Sequence, residues 1–487
     1  MKSCYLLSYL ALVLLLTNLV LVGRVVTLWK QIRLVPAEIF VVEEYRPADI
    51  EVDSAVSKGT LKPFWQSFAQ GGEEMGGNML APTVDSMRQL SPGYIRLDHI
   101  FDDDYYGVVK SPGDYDFSRL DGAVDQILAM GAKPFFSLGY MPGSLAETKI
   151  SAPYNWDDWF NLVKATVEHY SGKNGRNIAN VYYEVWNEPD LEAFGAWQRG
   201  GDKNYLTLYS VSARAAAGAA NTNRFYIGGP STTGLYRNWV IDLINFAASN
   251  KLRLDFISWH RYSFSPQRFA MDMEQAKSWL RGSRYQLIIS EWGPTPEKSS
   301  TYSTTYASAH AFASIRQMID AADGIYAFEI KDGPEQGNQG WGILTHQSAE
   351  LTRKPRFTAF SWLKNAWGSR LEVTGEGTNV TGWAIKRDKN IIDLYLVNFA
   401  PKQAKKETVP IRFINLKPGE FQVNQTYLVN GSLNSQVIAS TITGRLFITL
   451  RLPVNEVVQV RVKQIKVMEQ SQLEPVEEAT GFGKLVR

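Results

Sequence analysis

Residues 181–189 read VYYEVWNEP, a short β-rich run that ends in a polar Asn-Glu-Pro segment. A longer stretch with helical spacing, Tyr205–Ala220, follows it, and the next β-rich run is Phe225–Gly228. Parallel strands need long crossover connections, usually helical, so this strand–helix–strand unit is typical of α/β folds. The same alternation recurs on both sides of the segment.

Eight β-rich runs occur in all, over about 300 residues, a length that one closed barrel can take up. Besides residues 181–186 and 225–228 they are Phe64–Ala69, Tyr94–Asp98, Pro134–Leu138, Asp255–His260, Leu287–Ser290 and Ile325–Ile330. Helix-compatible segments lie between them: Leu120–Met130, Trp156–Tyr170, Trp239–Ala248 and Tyr306–Ala321. The pattern predicts an α/β (β/α)8 TIM barrel. The alternative, a doubly wound sheet, usually carries a GxGxxG turn, and none follows these runs.

The pattern changes after Trp367, where β-rich segments alternate with turn residues and no long helical periodicity intervenes. This predicts an all-β sandwich after the barrel. The domain boundaries expected from the sequence are a linker at 31–60, the barrel at 61–365, the sandwich at 366–466 and a flexible polar tail at 467–487.

The N-terminal segment, residues 1–30, contains no charged residue between Ser3 and Gly23. At 1.5 Å per residue such a helix covers about 30 Å, the thickness of the hydrocarbon core of a bilayer. We therefore expect a transmembrane anchor with an extracytoplasmic catalytic domain. A cleaved signal peptide, which would make the protein secreted, is the alternative.

Composition excludes several classes of protein. With 45% hydrophobic and 12% aromatic residues, the chain is not intrinsically disordered. The formal charge of +2 gives no electrostatic reason to expect a nucleic-acid partner. The one cysteine, Cys4, excludes disulfides and cysteine-bound zinc within the chain. We predict no metal and no cofactor, and we interpret residues 102–104, three aspartates, as a solvated loop.

Two glutamates stand where the chemistry of a barrel is expected. Active sites lie at the C-terminal ends of barrel strands, and Glu188 and Glu291 follow the fourth and seventh runs. A facing pair of carboxyl groups is what hydrolysis of a glycosidic bond requires, one to protonate the leaving oxygen and one to attack the sugar or activate water. Their separation, which the sequence does not give, decides between retention and inversion of configuration.

The motifs around these glutamates resemble clan A glycoside hydrolases, and most closely the family-39 β-xylosidases and α-L-iduronidases. The resemblance covers about residues 60–465 and rests on the segments at 94–96, 100–103, 133–135, 140–142, 184–189 and 341–344. It implies that Glu188 is the general acid/base and Glu291 the nucleophile of a retaining enzyme. It also implies that Asn187 binds the 2-hydroxyl of the sugar.

Further residues at the strand ends are candidate partners of the substrate or of the glutamates: Arg96, Asp98, His260, Tyr262, Trp186, Trp292 and Trp341. Purely structural roles, an internal ion pair for Arg96 and packing for the tryptophans, are the alternatives. Asp98 departs from the family, which typically has a histidine there, and this leaves the sugar specificity open.

The expected function is hydrolysis of β-glycosidic bonds in an extracytoplasmic poly- or oligosaccharide. Two alternatives use the same barrel: a non-catalytic glycan-binding matrix protein, and a transglycosylase that passes the sugar to another sugar.

Overall fold

The computed structural model describes residues 45–334, 339–402, 405–429 and 435–468. Its first strand, Ile50–Leu61 (β1), belongs to a second sheet. Two short strands, Val109–Ser111 (β4) and Asp114–Tyr115 (β5), form a separate hairpin. Eight parallel strands close the barrel: Ser67–Gln70 (β2), Tyr94–Leu97 (β3), Lys133–Leu138 (β6), Val181–Val185 (β7), Phe225–Thr232 (β8), Phe256–Tyr262 (β9), Gln286–Gly293 (β10) and Gly324–Phe328 (β11). Each predicted run contains or overlaps one of these strands, so the predicted barrel is confirmed.

One helix follows each barrel strand on the outside of the barrel, and the last of them leads on to the second sheet. They are Val84–Leu90 (α1), Ser118–Ala129 (α2), Trp156–Ser171 (α3), Tyr205–Ala217 (α4), Arg237–Ser249 (α5), Pro266–Trp279 (α6), Thr305–Met318 (α7) and Pro355–Leu363 (α8). Two of them begin at an asparagine whose side chain caps the first turn, Asn155 for α3 and Asn204 for α4. Such a cap satisfies a backbone N–H that the helix itself leaves unpaired.

Side chains of the barrel strands alternate between two hydrophobic clusters. One small cluster fills the barrel interior and contains Phe135, Tyr182, Phe256, Ile288 and Tyr326. Their sequence neighbours face the helices and join the large outer core. This alternation with a period of two decides which residues can reach the mouth of the barrel.

A nine-stranded sheet forms the second part of the fold. Its strands after the barrel are Gly368–Thr374 (β12), Val380–Lys386 (β13), Ile391–Asn398 (β14), Glu407–Ile414 (β15), Gly419–Tyr427 (β16), Ser435–Thr441 (β17), Leu446–Leu452 (β18) and Glu456–Val467 (β19). The hydrogen-bonded order is β17-β16-β19-β14-β13-β12-β1-β15-β18. One hydrophobic cluster contains residues of strands from both ends of the sheet, so the sheet folds over and encloses its own core.

The sheet packs on the barrel through aromatic rings. Trp383 of β13 stacks on Phe312 of α7 with 5.7 Å between ring centroids, and on Tyr395 of β14 with 5.7 Å. Trp383 is buried within the barrel's outer core, so this face of the sheet completes that core.

The N-terminal expectations need one correction. Residues 50–60 are not a linker, because Ile50 and Val52 are fully buried and β1 pairs with both β12 and β15. Their alternation with polar residues is the signature of a half-buried strand. The predicted anchor at 1–30 and residues 469–487 of the predicted tail lie outside the described residues. None of the helices within the described ranges has the length and apolarity needed to cross a bilayer.

Candidate active site

Glu291 reaches the mouth of the barrel because strand β10 contains a bulge. Ile288 faces the interior and Ile289 the outer core, so strict alternation would point Glu291 outward. The pairing with β9 shifts register between Ile289 and Glu291. A bulge inserts one extra residue and re-aims the side chains that follow it. Glu291 therefore turns inward and Trp292 turns out into the core.

Glu188 is oriented by a change in the backbone at the end of β7. Trp186 and Glu188 have φ angles of 72° and 43°, the left-handed region that non-glycine residues rarely adopt. Trp186 consequently leaves the interior face and packs among outer rings, while Asn187 turns inward. The Glu188 N–H donates to the Ser231 carbonyl at 2.9 Å, which fixes this segment against β8.

The two glutamates face each other across a histidine. One carboxylate oxygen of Glu188, one ring nitrogen of His260 and one carboxylate oxygen of Glu291 lie within 4.8 Å of one another. His260 Nδ1 is 2.8 Å from Glu188 Oε1 and 3.4 Å from Glu291 Oε2. Both carboxyl groups are largely buried, with side-chain exposures of 14% and 8%. The expected facing pair of carboxyl groups is therefore present.

Arg96 connects this pair to the barrel interior. Its guanidinium donates from Nε to Glu184 Oε2, from Nη1 to Glu291 Oε1 and from Nη2 to Asn187 Oδ1, each at 2.8 Å. The side chains of Arg96 and Glu184 have no exposed surface. A buried guanidinium needs carboxylate partners, and its planar fork fixes where they sit.

Replacing Arg96 with methionine is expected to destabilise the fold by about 3–5 kcal/mol, because two buried carboxylates would lose their cation. Chemical denaturation of the variant measures this loss. The control is Arg412→Met, since Arg412 pairs with Asp49 and Glu51 at the surface and such exposed pairs add little to stability. Equal losses for the two variants would contradict the buried charge network.

The nucleophile candidate has an unusual protonation equilibrium. Burial raises the pKa of Glu291 to about 7, against the lowering effect of His260 and Arg96. Burial lowers the pKa of His260, but the Glu291 and Glu188 carboxylates outweigh it and the net shift is upward. Burial and Glu291 hold the pKa of Tyr262 well above its usual value, so Tyr262 stays protonated. Its hydroxyl donates to Glu291 Oε2 at 2.8 Å.

Glu188, His260 and Glu291 also form the one group of His, Cys, Asp and Glu side chains, among the residues that the structure describes, compact enough to hold a metal ion. Arg96 and Tyr262 already donate to the two oxygens of Glu291. A metal ion would have to displace these donors beside a fixed guanidinium charge. The donor set therefore suits an organic substrate better than a cation.

The remaining predicted residues divide into those at the site and those away from it. Asn187 also donates from Nδ2 to the Tyr140 hydroxyl at 3.1 Å. Asp98 is buried, accepts from the His99 N–H at 2.7 Å, and its charge contributes to the raised pKa of Glu291. Trp341 is half-buried beside Phe328, and its role in binding a sugar stays a prediction.

The predicted stacking of Trp186 and Trp292 on a sugar is wrong. Both rings have 0% exposure and therefore present no face to a ligand. Trp186 packs against Trp197 and Tyr140, and Trp292 packs against Phe269 and lies under the Arg356 guanidinium. The backbone features described above, the left-handed turn and the bulge, send them to the outer core.

Three further residues contact this network and were not predicted as site residues. Tyr140 hydrogen bonds Asn187, Ser231 Oγ lies 3.2 Å from His260 Nε2, and Glu184 holds Arg96. The sequence carried a signal for Glu184 only. Glu184 lies two residues after Tyr182, so on a strand the two side chains point to the same face, the barrel interior. A buried acid there needs a cation such as Arg96.

The comparison with known families agrees with this arrangement. The sequence matches the model of Glycosyl hydrolases family 39 over residues 48–323, more than half of the chain. The chain belongs to glycosyl hydrolases family 39. The match contains both Glu188 and Glu291, and it confirms the resemblance found in the motifs.

Several relatives of this family-39 chain are known. It is 31% identical over 323 residues to a β-xylosidase of Geobacillus stearothermophilus, covering 57% of this chain and 62% of that protein. A β-xylosidase of Caldicellulosiruptor saccharolyticus is 27% identical over 315 residues, with the same two shares. The chain thus spans a little under two thirds of the length of these curated relatives.

Solved structures share the fold. A monomeric β-xylosidase from Caulobacter crescentus superposes with a TM-score of 0.71 at 20% identity, covering 86% of this chain and 100% of that one. A family-39 enzyme from Xanthomonas axonopodis pv. citri also gives 0.71 at 20% identity, with coverages of 87% and 98%. The superpositions cover both the barrel and the β sheet. At such sequence identities they show a shared fold and nothing more.

Proposed function

We propose that the protein is a retaining β-glycosidase in which Glu188 is the general acid/base and Glu291 the nucleophile. The observation that carries the proposal is the approach of the two carboxyl groups to within 4.8 Å. Retaining glycosidases hold their carboxyl groups about 5–5.5 Å apart, whereas inverting enzymes leave about 6.5–9.5 Å for a water molecule. An approach of one oxygen of each carboxyl group to within 4.8 Å supports the retaining arrangement.

The residues support a double displacement. In the first step Glu291 attacks the anomeric carbon while protonated Glu188 donates its proton to the glycosidic oxygen, and the leaving sugar departs from a glycosyl-enzyme. In the second step Glu188, now a carboxylate, takes a proton from water as the water attacks the anomeric carbon. This releases the sugar with retained configuration, frees Glu291 and restores the proton on Glu188.

A β-xyloside is the first substrate to test, because two relatives are named β-xylosidases. The experiment is a panel of aryl β- and α-glycosides, with the anomer of the released sugar followed by NMR. Release of the β-anomer from a β-glycoside supports the proposal, and release of the α-anomer contradicts it. Binding of glycans without turnover would favour the glycan-binding alternative, and longer products with excess oligosaccharide would favour the transglycosylase.

Glu184→Gln is expected to move the acid limb of kcat/KM to lower pH by roughly one unit. The charged or titratable groups that act on Glu291 or on its partner Arg96 lie in three strands or just after them: Arg96 and Asp98 at β3, Glu184 and Glu188 at β7, His260 and Tyr262 at β9. Glu184 now neutralises part of the Arg96 charge. With glutamine there, less of the Arg96 charge is compensated, so it lowers the pKa of Glu291 further and ionises the nucleophile at lower pH.

The control for this variant is Asp393→Asn, which also removes a fully buried carboxylate held by two arginines, Arg387 and Arg461, but in the β sheet. Both variants are expected to lose stability, and only Glu184→Gln to shift the acid limb. An unchanged limb, or a shift to higher pH, would show that Glu184 does not act on Glu291 through Arg96.

We also propose that the barrel works outside the cytoplasm, tethered through residues 1–30. The support is the uncharged run from Ser3 to Gly23 and a carbohydrate substrate of the kind found in cell walls and matrices. Fractionation of expressing cells, combined with protease added to intact cells or spheroplasts, tests it. A full-length chain in the soluble cytoplasmic fraction would contradict the proposal.

A further inference from the structure

Two exposed aromatic rings lie in loops that follow β8 and β9, the two barrel strands between those that carry the two glutamates. Tyr236 and Phe264 are each 43% exposed. Tyr236 lies in the loop from β8 to α5, and Phe264 in the loop from β9 to α6. Going round the barrel, the neighbouring strands β7, β8, β9 and β10 therefore carry Glu188, Tyr236, Phe264 and Glu291 in that order.

Tyr236 is tethered to the segment that holds the acid/base. Thr233 donates from its hydroxyl to Asp190 Oδ2 at 2.5 Å and from its N–H to Asp190 Oδ1 at 2.9 Å. Because the Thr233 proton is used there, the Tyr236 hydroxyl is the donor in its 3.1 Å contact with Thr233 Oγ1. Asp190 follows Glu188 by two residues, and burial together with the nearby Glu188 charge raises the pKa of Asp190.

Phe264 has a similar link to the nucleophile. It lies two residues after Tyr262, whose hydroxyl contacts Glu291. The edge-on contact of Phe264 with Tyr306, at 6.2 Å between centroids, supports the ring from one side. Both rings are thus held in place by neighbours, and each leaves much of its surface free.

The proposed mechanism indicates which part of the substrate these rings would contact. Glu188 donates its proton to the glycosidic oxygen, so the sugar that leaves must lie on the Glu188 side of the bond that breaks. Tyr236 is an exposed ring that is hydrogen-bonded to this side through Thr233 and Asp190. Sugars present apolar C–H faces, and an exposed ring that covers such a face buries apolar surface at a low cost in side-chain freedom.

We propose that Tyr236 forms a stacking platform for the leaving sugar, with Phe264 in the next loop as a second exposed ring. The proposal rests on the proposed function and adds to it the class of leaving group. A glycoside of a small alcohol would leave this platform empty.

The experiment compares an aryl β-xyloside with xylotriose as substrates of the wild type, Tyr236→Ala and Tyr236→Phe. For Tyr236→Ala we expect kcat/KM on xylotriose to fall about ten-fold, mainly through KM, which corresponds to the burial of roughly half a ring. On the aryl xyloside with an activated leaving group we expect less than about a two-fold change, because such substrates depend little on contacts to the leaving group. Tyr236→Phe keeps the ring but loses its hydrogen bond to Thr233, so on xylotriose we expect a clearly smaller loss than for Tyr236→Ala, and on the aryl xyloside no change.

The matched control is Phe447→Ala, which removes a ring of 63% exposure from strand β18 of the sheet and should change neither substrate. Equal losses on both substrates for Tyr236→Ala, or no loss on xylotriose, would overturn the platform. A loss in Tyr236→Phe as large as in Tyr236→Ala would overturn stacking in favour of the hydroxyl. If the wild type cleaves neither substrate nor any glycoside of the panel, the proposed function itself fails, and this outcome is distinct from the others.

Discussion

Glu291→Ala is expected to lower kcat/KM for every glycoside, activated or not, by about 10⁴-fold or more, because removing a nucleophile removes the covalent step itself. The structure adds a reason for the severity. Arg96, Tyr262 and His260 all converge on this carboxylate, and none of them can attack an anomeric carbon in its place. Steady-state rates with an aryl glycoside and with an oligosaccharide measure the loss.

Added azide distinguishes loss of the nucleophile from loss of the fold. In Glu291→Ala the missing side chain leaves space on the face from which Glu291 attacks, and an azide ion there gives an α-glycosyl azide from an activated β-glycoside. Glu291→Gln, which fills the space, should show no such rescue. Residual activity of Glu291→Ala within about tenfold of the wild type would refute the assignment.

Glu188→Ala is expected to affect substrates according to their leaving group. For an oligosaccharide, kcat/KM should fall by about 10²–10⁴-fold, the usual worth of a positioned general acid. For a dinitrophenyl glycoside, whose leaving group needs no proton, kcat/KM should stay within about tenfold. Its kcat and KM should both fall, because the glycosyl-enzyme accumulates when no base activates water.

Azide again identifies the face on which the residue acts. In Glu188→Ala it attacks the glycosyl-enzyme without needing a base, and the expected product is a β-glycosyl azide, with a rise in kcat on the activated substrate. An equal loss on both kinds of substrate, without a β-azide product, would reverse or remove the role of Glu188. The pair of opposite azide products is the strongest check on the two assignments taken together.

The charge network explains how one site can hold both roles. In the proposed mechanism Glu291 must be ionised to attack, although burial raises its pKa to about 7, and Arg96 and Tyr262 donate hydrogen bonds to its charged form. When folding raises the pKa of a carboxyl group, the protonated group stabilises the folded protein. This stabilisation is lost as the pH rises through the raised pKa. Ionising Glu291 therefore costs stability at the pH where activity appears, a common feature of functional sites.

Much of the fold followed from the order of residues along the chain. The β-rich runs and the helical segments between them are local patterns, and eight such units admit few arrangements, so the barrel and its strand order were predictable. Barrel chemistry lies at the C-terminal ends of the strands, and this rule identified Glu188 and Glu291, which follow two of the predicted strands, as the candidate pair. Strand β1 was missed because its partners, β12 and β15, lie more than 300 positions further along the chain.

The sequence by itself determined which two glutamates stand at the mouth of the barrel and what chemistry such a pair performs. Only the tertiary structure decided which side chains around them face inward. The bulge before Glu291 and the left-handed turn at Trp186 each shift the alternation by one residue, and this places Trp186 and Trp292 in the outer core. Such shifts are set by pairing with neighbouring strands and by buried partners such as Arg96 and Glu184, which no local pattern contains.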